Sequence, residues 1–174
     1  APEFNINDLD AVILSHAHID HCGFIPYLFK MGFRGPVYCT APTRDISALI
    51  CLDSVKIAKS ENLEPLFDQD DIKEMVKHMV ILDFEEVNDI TPDVRITFYN
   101  AGHILGSAVT HMNIGNGFHN FVYTADMKYG RSVLLEPTQD RFPRCETLTM
   151  EATYGGTNDI QPPGFESDQK LLEA

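Results

Sequence analysis

The sequence predicts an α/β fold, and three observations predict it. A strand-type apolar run over residues 9–15 ends in a dense cluster of metal-ligating side chains. Apolar residues then recur at helical spacing across residues 40–80, and from residue 94 the period changes to two. With 174 residues, 44% of them hydrophobic and 22% charged, the chain has the composition of one globular domain with a core of its own.

Taken in order, Leu9-Asp10-Ala11-Val12-Ile13-Leu14-Ser15 reads as a buried strand. Cys22 to Met31 reads as a short helix interrupted early by Pro26, and Gly32 and Gly35-Pro36 close it. Val37-Tyr38-Cys39 is a short strand. Thr40 is a helix N-cap with Pro42 in the first turn. The helix it opens runs to about Ser60, with Ile46, Leu49, Ile50 and Ile57 as its buried stripe. A second helix starts near Asp68, where Asp68 and Asp71 occupy capping-box positions. Ile72, Met75, Val76, Met79 and Val80 mark its packed face.

Val94, Ile96 and Phe98 then alternate with Arg95, Thr97 and Tyr99 as a half-buried strand. Ala108 to Ile114 and Phe118 to Thr124 are two further strands joined by a Gly115-Asn116-Gly117 hairpin turn. Thr147 to Met150 gives one more. Beyond Tyr154 the chain turns polar and rich in Pro and Gly, and Glu166 to Ala174 begins a helix. An opening almost on a strand that carries ligands, and an ending like a linker, read as an excerpt of a longer protein.

The formal net charge is −13, which by itself argues against a polyanionic partner. A metal ion held by the ligand-type side chains would add positive charge locally, so nucleic acid is not excluded. No run of 18 apolar residues suggests a membrane span, and no secretory signal is visible. Cys39 and Cys51 read as small buried hydrophobes, while Cys22 adjoins the ligand cluster; the expectation is reduced thiols in a cytoplasm.

The chemistry lies in Ser15-His16-Ala17-His18-Ile19-Asp20-His21. This H-x-H-x-D-H pattern packs three imidazoles and a carboxylate into six residues. Folding does not require that density, but a divalent metal does. Neutral His nitrogens and an Asp oxygen suit zinc, and an open coordination position leaves room for an activated water. His103, in Ala101-Gly102-His103-Ile104-Leu105-Gly106-Ser107-Ala108, and Asp126, in Tyr123-Thr124-Ala125-Asp126, each follow a strand beside small residues. Either alone carries little weight; beside the first motif both become ligand candidates. His78, His111 and His119 lack such a setting.

These ordered motifs resemble the metallo-β-lactamase superfamily. Met150-Glu151-Ala152-Thr153-Tyr154-Gly155-Gly156 and the His103 and Asp126 segments narrow the resemblance to its β-CASP branch of nucleic-acid nucleases. Within that branch the chain is similar to archaeal homologues of the endonuclease subunit of cleavage and polyadenylation specificity factor, over about residues 9–156. The resemblance implies an αββα sandwich, with residues 1–153 a catalytic core incomplete at its N-terminus and 154–174 a linker toward a β-CASP domain. It implies two zinc ions: His16, His18 and His103 on the first, Asp20 and His21 on the second, Asp126 bridging. Asp20 would orient or deprotonate the attacking water. Glu151 would pair with a distant His that protonates the leaving oxygen; the competing reading is a surface acid at a strand end.

The chain departs from the family's pattern in places. The Asp-bearing strand and KH domains expected upstream, and the two histidines expected downstream, are not in this stretch. Ala125 stands where many relatives have Gly, and Ala152 where many have Ser. The implied activity is a zinc-dependent ribonuclease acting on single-stranded RNA in 3′-end processing or decay. It would cut endonucleolytically, with 5′→3′ exonucleolysis as a second mode, and this stretch alone could be inert. A homodimer would form through regions outside it. The alternative is a hydrolase of small thioesters or lactones, which the first motif fits equally; an inactive scaffold is the third reading. Arg131, Arg141 and Arg144 follow Asp126 and are either phosphate contacts or a solvated loop.

Overall fold

A computed structural model describes residues 4–159 and 164–173. Two sheets form. The first is parallel, in the order β1 (Val12–Ile13), β2 (Val37–Cys39), β3 (Met79–Ile81). The second runs β4 (Val87–Thr91), β5 (Val94–Asn100), β6 (Ala108–Ile114), β7 (His119–Tyr123), β8 (Thr147–Thr149). It is antiparallel from β4 to β7, and β8 joins β7 in parallel.

Side-chain alternation along the short parallel strands assigns their two faces. Val37 and Cys39 point to one side, where they pack with Leu14, Ile25, Phe29, Cys51, Val55, Ile72 and Met75. That side is covered by α2 (Ile25–Lys30), α3 (Ala41–Ser60) and α4 (Gln69–His78). Tyr38 and Ile13 point to the other side and pack with Leu82, just past β3, on Ile96, Phe98 and Ala108 of the second sheet. The result is helices, sheet, sheet: a mixed α/β arrangement that matches a partial metallo-β-lactamase sandwich. On the outer face of the second sheet, Val109, Val122 and Tyr99 pack under Met127 and Phe142. β8 forms the sheet's rim, exposed at all three positions and, among the described residues, paired on one side only.

Several elements differ from the sequence reading, each for a physical reason. The expected strand over 9–15 shortens to Val12–Ile13, because the chain from Leu14 turns away to present the ligand motif. The expected helix over 22–31 becomes two, α1 (Ile19–Cys22) and α2, with Pro26 in the first turn of α2, where a missing N–H costs nothing. The interruption falls before the proline rather than at it.

The α3 stripe is misassigned. Thr43, Ser47, Cys51 and Val55 are the fully buried positions, whereas Leu49 and Ile57 are 67% and 50% exposed. Small and hydroxylic residues win that face because α3 lies close to the site loops. The Thr40 and Thr43 hydroxyls both donate to Gly106 O, and Cys51 Sγ sits 3.9 Å from Cys22 Sγ. Met79 and Val80 leave α4 for β3, which propensity alone does not announce. The capping box at Asp68 and Asp71 forms as expected. The C-terminal helix, α5, spans Gly164–Glu173. Pro162 and Pro163 lie outside the described residues.

Candidate metal centre

β5 and β7 both run antiparallel to β6, and β8 runs with β7, so β5, β7 and β8 all end at one edge of the second sheet. The end of β1 is tied to that edge by Ala108 N–H donating to Ser15 O at 2.9 Å. Four strand ends therefore meet, and each supplies ligand-type side chains: His16 and His18 after β1, His103 after β5, Asp126 after β7, Glu151 after β8. Asp20 and His21 lie on α1, the single turn that follows His18.

The donors converge in two groups. His18 Nδ1 is 3.2 Å from His16 Nε2 and 3.1 Å from His103 Nε2. Asp126 Oδ2 is 3.6 Å from His16 Nε2 and 3.5 Å from His103 Nε2. These four ligand atoms lie within 4.8 Å of one another. The other oxygen of Asp126, Oδ1, is 3.6 Å from His21 Nε2, which lies 3.6 Å from Asp20 Oδ2. A tetrahedral ion with bonds of about 2.1 Å separates its ligands by roughly 3.4 Å, and the first group has that spacing. One imidazole proton cannot satisfy three converging nitrogens, whereas a divalent cation can. The donor set thus fits a metal ion between His16, His18, His103 and Asp126, with Asp126 turning its second oxygen toward His21.

The electrostatics favour ligation. His16 is fully buried, and burial, followed by the neighbouring His21, His103 and His18, lowers its pKa to about 3. It is therefore neutral near pH 7, as a metal ligand must be. Burial and His18 also push His103 down, opposed by Asp126 and Glu151. Ser15 Oγ lies 3.1 Å from His16 Nδ1. Accepting the Nδ1–H there leaves Nε2 with its lone pair toward the cluster. His16 closes the floor of the site, while Asp20, 73% exposed at its side chain, stands at the mouth.

Contacts outside the ligands fix the His103 loop. Ser107 Oγ accepts from His103 N and Ile104 N, and Gly106 O takes the hydroxyls of Thr40 and Thr43. Gly102 has a φ of +66°, and a Cβ there would stand 2.7 Å from Glu136 O and 3.0 Å from Lys128 O. Gly102 thus makes room for the 128–138 loop and Gly106 for the start of α3, rather than for the cluster itself.

Glu151 accepts the Met127 N–H at 2.7 Å. Burial raises its pKa, but hydrogen bonds from Thr153 and Met127 outweigh that and hold its carboxyl below the usual range. The other histidines stand elsewhere. His78 Nδ1 meets Glu74 O, His111 Nε2 meets Arg144 O, and His119 Nε2 meets Thr147 Oγ1. Cys22 faces Cys51 and the carbonyl of Ala17 in the core. Sequence reading missed the roles of Ser15, Ser107, Thr40 and Thr43. Their neighbourhood to ligands in the chain is a usable signal for the first two, and nothing local marks the others.

An α/β sandwich that gathers histidines and carboxylates at its strand ends is the architecture of a metal-dependent hydrolase. Residues 2–142 match the metallo-beta-lactamase superfamily domain, and the chain belongs to that superfamily. It is 56% identical to transcription termination factor FttA of Methanothermobacter thermautotrophicus over 99% of its length. It is 52% identical to the same factor of Pyrococcus horikoshii over 99%, and 48% to that of a Lokiarchaeum species over 99%. The chain spans 27% of each of these relatives. Among the described residues, no helix is long and apolar enough to cross a membrane.

Proposed function

We propose that this chain is the metal-binding part of a β-CASP ribonuclease that cuts single-stranded RNA at the close of transcription. The observation that carries the reading is similarity along 99% of the chain to factors named for transcription termination, an event that concerns nascent RNA. Residues 1–153 form the catalytic core, and 154–174 lead toward a β-CASP domain.

His16, His18 and His103 would hold one zinc ion, Asp20 and His21 would hold a second, and Asp126 would serve both. When bound, such a pair supplies a water of lowered pKa and positive charge against the phosphate. The chain's own residues do the rest. His16 and Ser15 shut out solvent from below and fix the orientation of the ring. Asp20, at the solvent mouth of the site, takes the proton of the attacking water. Cleavage is endonucleolytic, with 5′→3′ trimming as a second mode, and the isolated stretch is weakly active or inert.

The test uses the full-length protein with a labelled single-stranded RNA and, separately, a thioester. The expected result is RNA cleavage that chelation abolishes and zinc restores, with the thioester untouched. Turnover of the thioester with RNA left intact would replace this reading with the small-ester hydrolase. Retention of stoichiometric metal by H16A, H103A and D126A would remove the metal centre itself.

A further inference from the structure

Asp126 is asked to do something its local backbone resists. Its two oxygens face separate histidine groups, Oδ2 toward His16 and His103 and Oδ1 toward His21. The residue before it, Ala125, has a φ of +49°, in the left-handed region that an L side chain with a Cβ disfavours by about 1–2 kcal/mol. A turn of that kind persists only where its surroundings over-determine it. On one side the surroundings are the β7–β8 ladder, continued by Thr124 N–H donating to Thr149 O at 3.0 Å. On the other side the Met127 N–H donates to Glu151 Oε1 at 2.7 Å. Thr124 and Glu151 are also joined directly, through Glu151 N–H and Thr124 Oγ1 at 3.4 Å. The ligand is thus bracketed by β8 two residues before it and by the first carboxylate after β8 one residue beyond it.

We propose that Glu151 is a positioning residue of the metal centre: by accepting the Met127 N–H, its carboxylate holds the left-handed Ala125 turn and aims both oxygens of Asp126 at the histidines. This rests on the metal-centre reading above and is separate from any part Glu151 plays in proton transfer. A carboxylate that only relays a proton acts on metal affinity through its charge alone. One that holds a ligand's backbone sets it, and loss of such outer contacts costs about 10–100-fold in affinity.

The experiment measures zinc affinity of the full-length protein by competition with a chromogenic chelator, alongside the melting temperature of the metal-free protein. E151A is expected to weaken zinc about 10–100-fold with the metal-free melting temperature unchanged. E151Q, whose amide oxygen still accepts the Met127 N–H, is expected to recover most of that loss. Wild-type affinity in E151A overturns the proposal, as does an equal loss in E151Q and E151A, which would assign the effect to charge. If E151A also lowers the metal-free melting temperature, E151Q decides between the two. A wild-type protein that takes up no zinc overturns the metal-centre reading together with this one, whereas normal uptake with an indifferent E151A overturns this one alone.

Discussion

Ala125 is the residue where local preference and ligand geometry conflict most openly. Its φ of +49° is one that glycine adopts more freely than a residue with a Cβ. A125G is expected to raise stability by about 1 kcal/mol, read as the shift in a urea midpoint, because the folded backbone loses its strain. Ser15 acts at the opposite end of the site. In S15A the buried Nδ1–H of His16 loses its partner at 3.1 Å, and zinc affinity is expected to fall about 10-fold in a chelator competition. At this scale the candidate metal-binding side chains were legible in the sequence, and the structure gathers His16, His18, His103 and Asp126. His16, His18, Asp20 and His21 sit in one short motif whose density has no structural use, and His103 and Asp126 follow strand ends beside small residues. The residues that aim them were not legible. A hydroxyl at Thr40 or Thr43 becomes a clamp only once Gly106, more than sixty residues later, is folded against it.

Elements with strong local grammar were readable, and elements set by distant partners were not. Asp68 Oδ1 accepts from Asp70 N–H and Asp71 N–H, and Asp71 Oδ2 accepts from Asp68 N–H, so α4 carries its own start signal. D68A is expected to cost about 1 kcal/mol and lower the melting temperature by a few degrees. The stripe of α3 failed because aliphatic spacing marks burial only when packing, and not a close polar contact, chooses the face. Ser47 and Cys51 occupy the positions nearest α1 and leave Leu49 outside. The edge of the second sheet depends on charge. Glu146 accepts from the side chain and backbone N–H of Asn120 on β7 and pairs with Arg144. Those contacts, the Asn120 side chain foremost, lower its pKa from 4.5 to about 2. A carboxylate depressed on folding stabilises above its unfolded value and loses that contribution as pH falls toward its folded value. The melting temperature should therefore drop between pH 4.5 and 2, and E146Q should drop less over the same interval.

For the molecule as a whole, a cluster of histidines assembled from strand ends far apart in sequence exists only in the folded state. Any ion it takes is then linked to folding. Free zinc at 100 times its dissociation constant is expected to add about 2.7 kcal/mol to stability, seen as a rise in melting temperature that a chelator reverses. The α/β class and the order of most elements were visible beforehand because period changes and turn residues are local. The packing of two sheets through Ile13, Tyr38, Ile96 and Phe98 was not visible, since each strand's alternation says that one face is buried without naming the partner. One outcome of that arrangement is colloidal. β8 keeps a row of backbone donors and acceptors free of a neighbour among the described residues, with Leu148 half open beside it. Such a ledge is a template on which a second molecule can lay its own strand, and the tendency grows with concentration. A lysine at position 148 would make the ledge repel its copies, so L148K should scatter less light than the parent in concentrated solution.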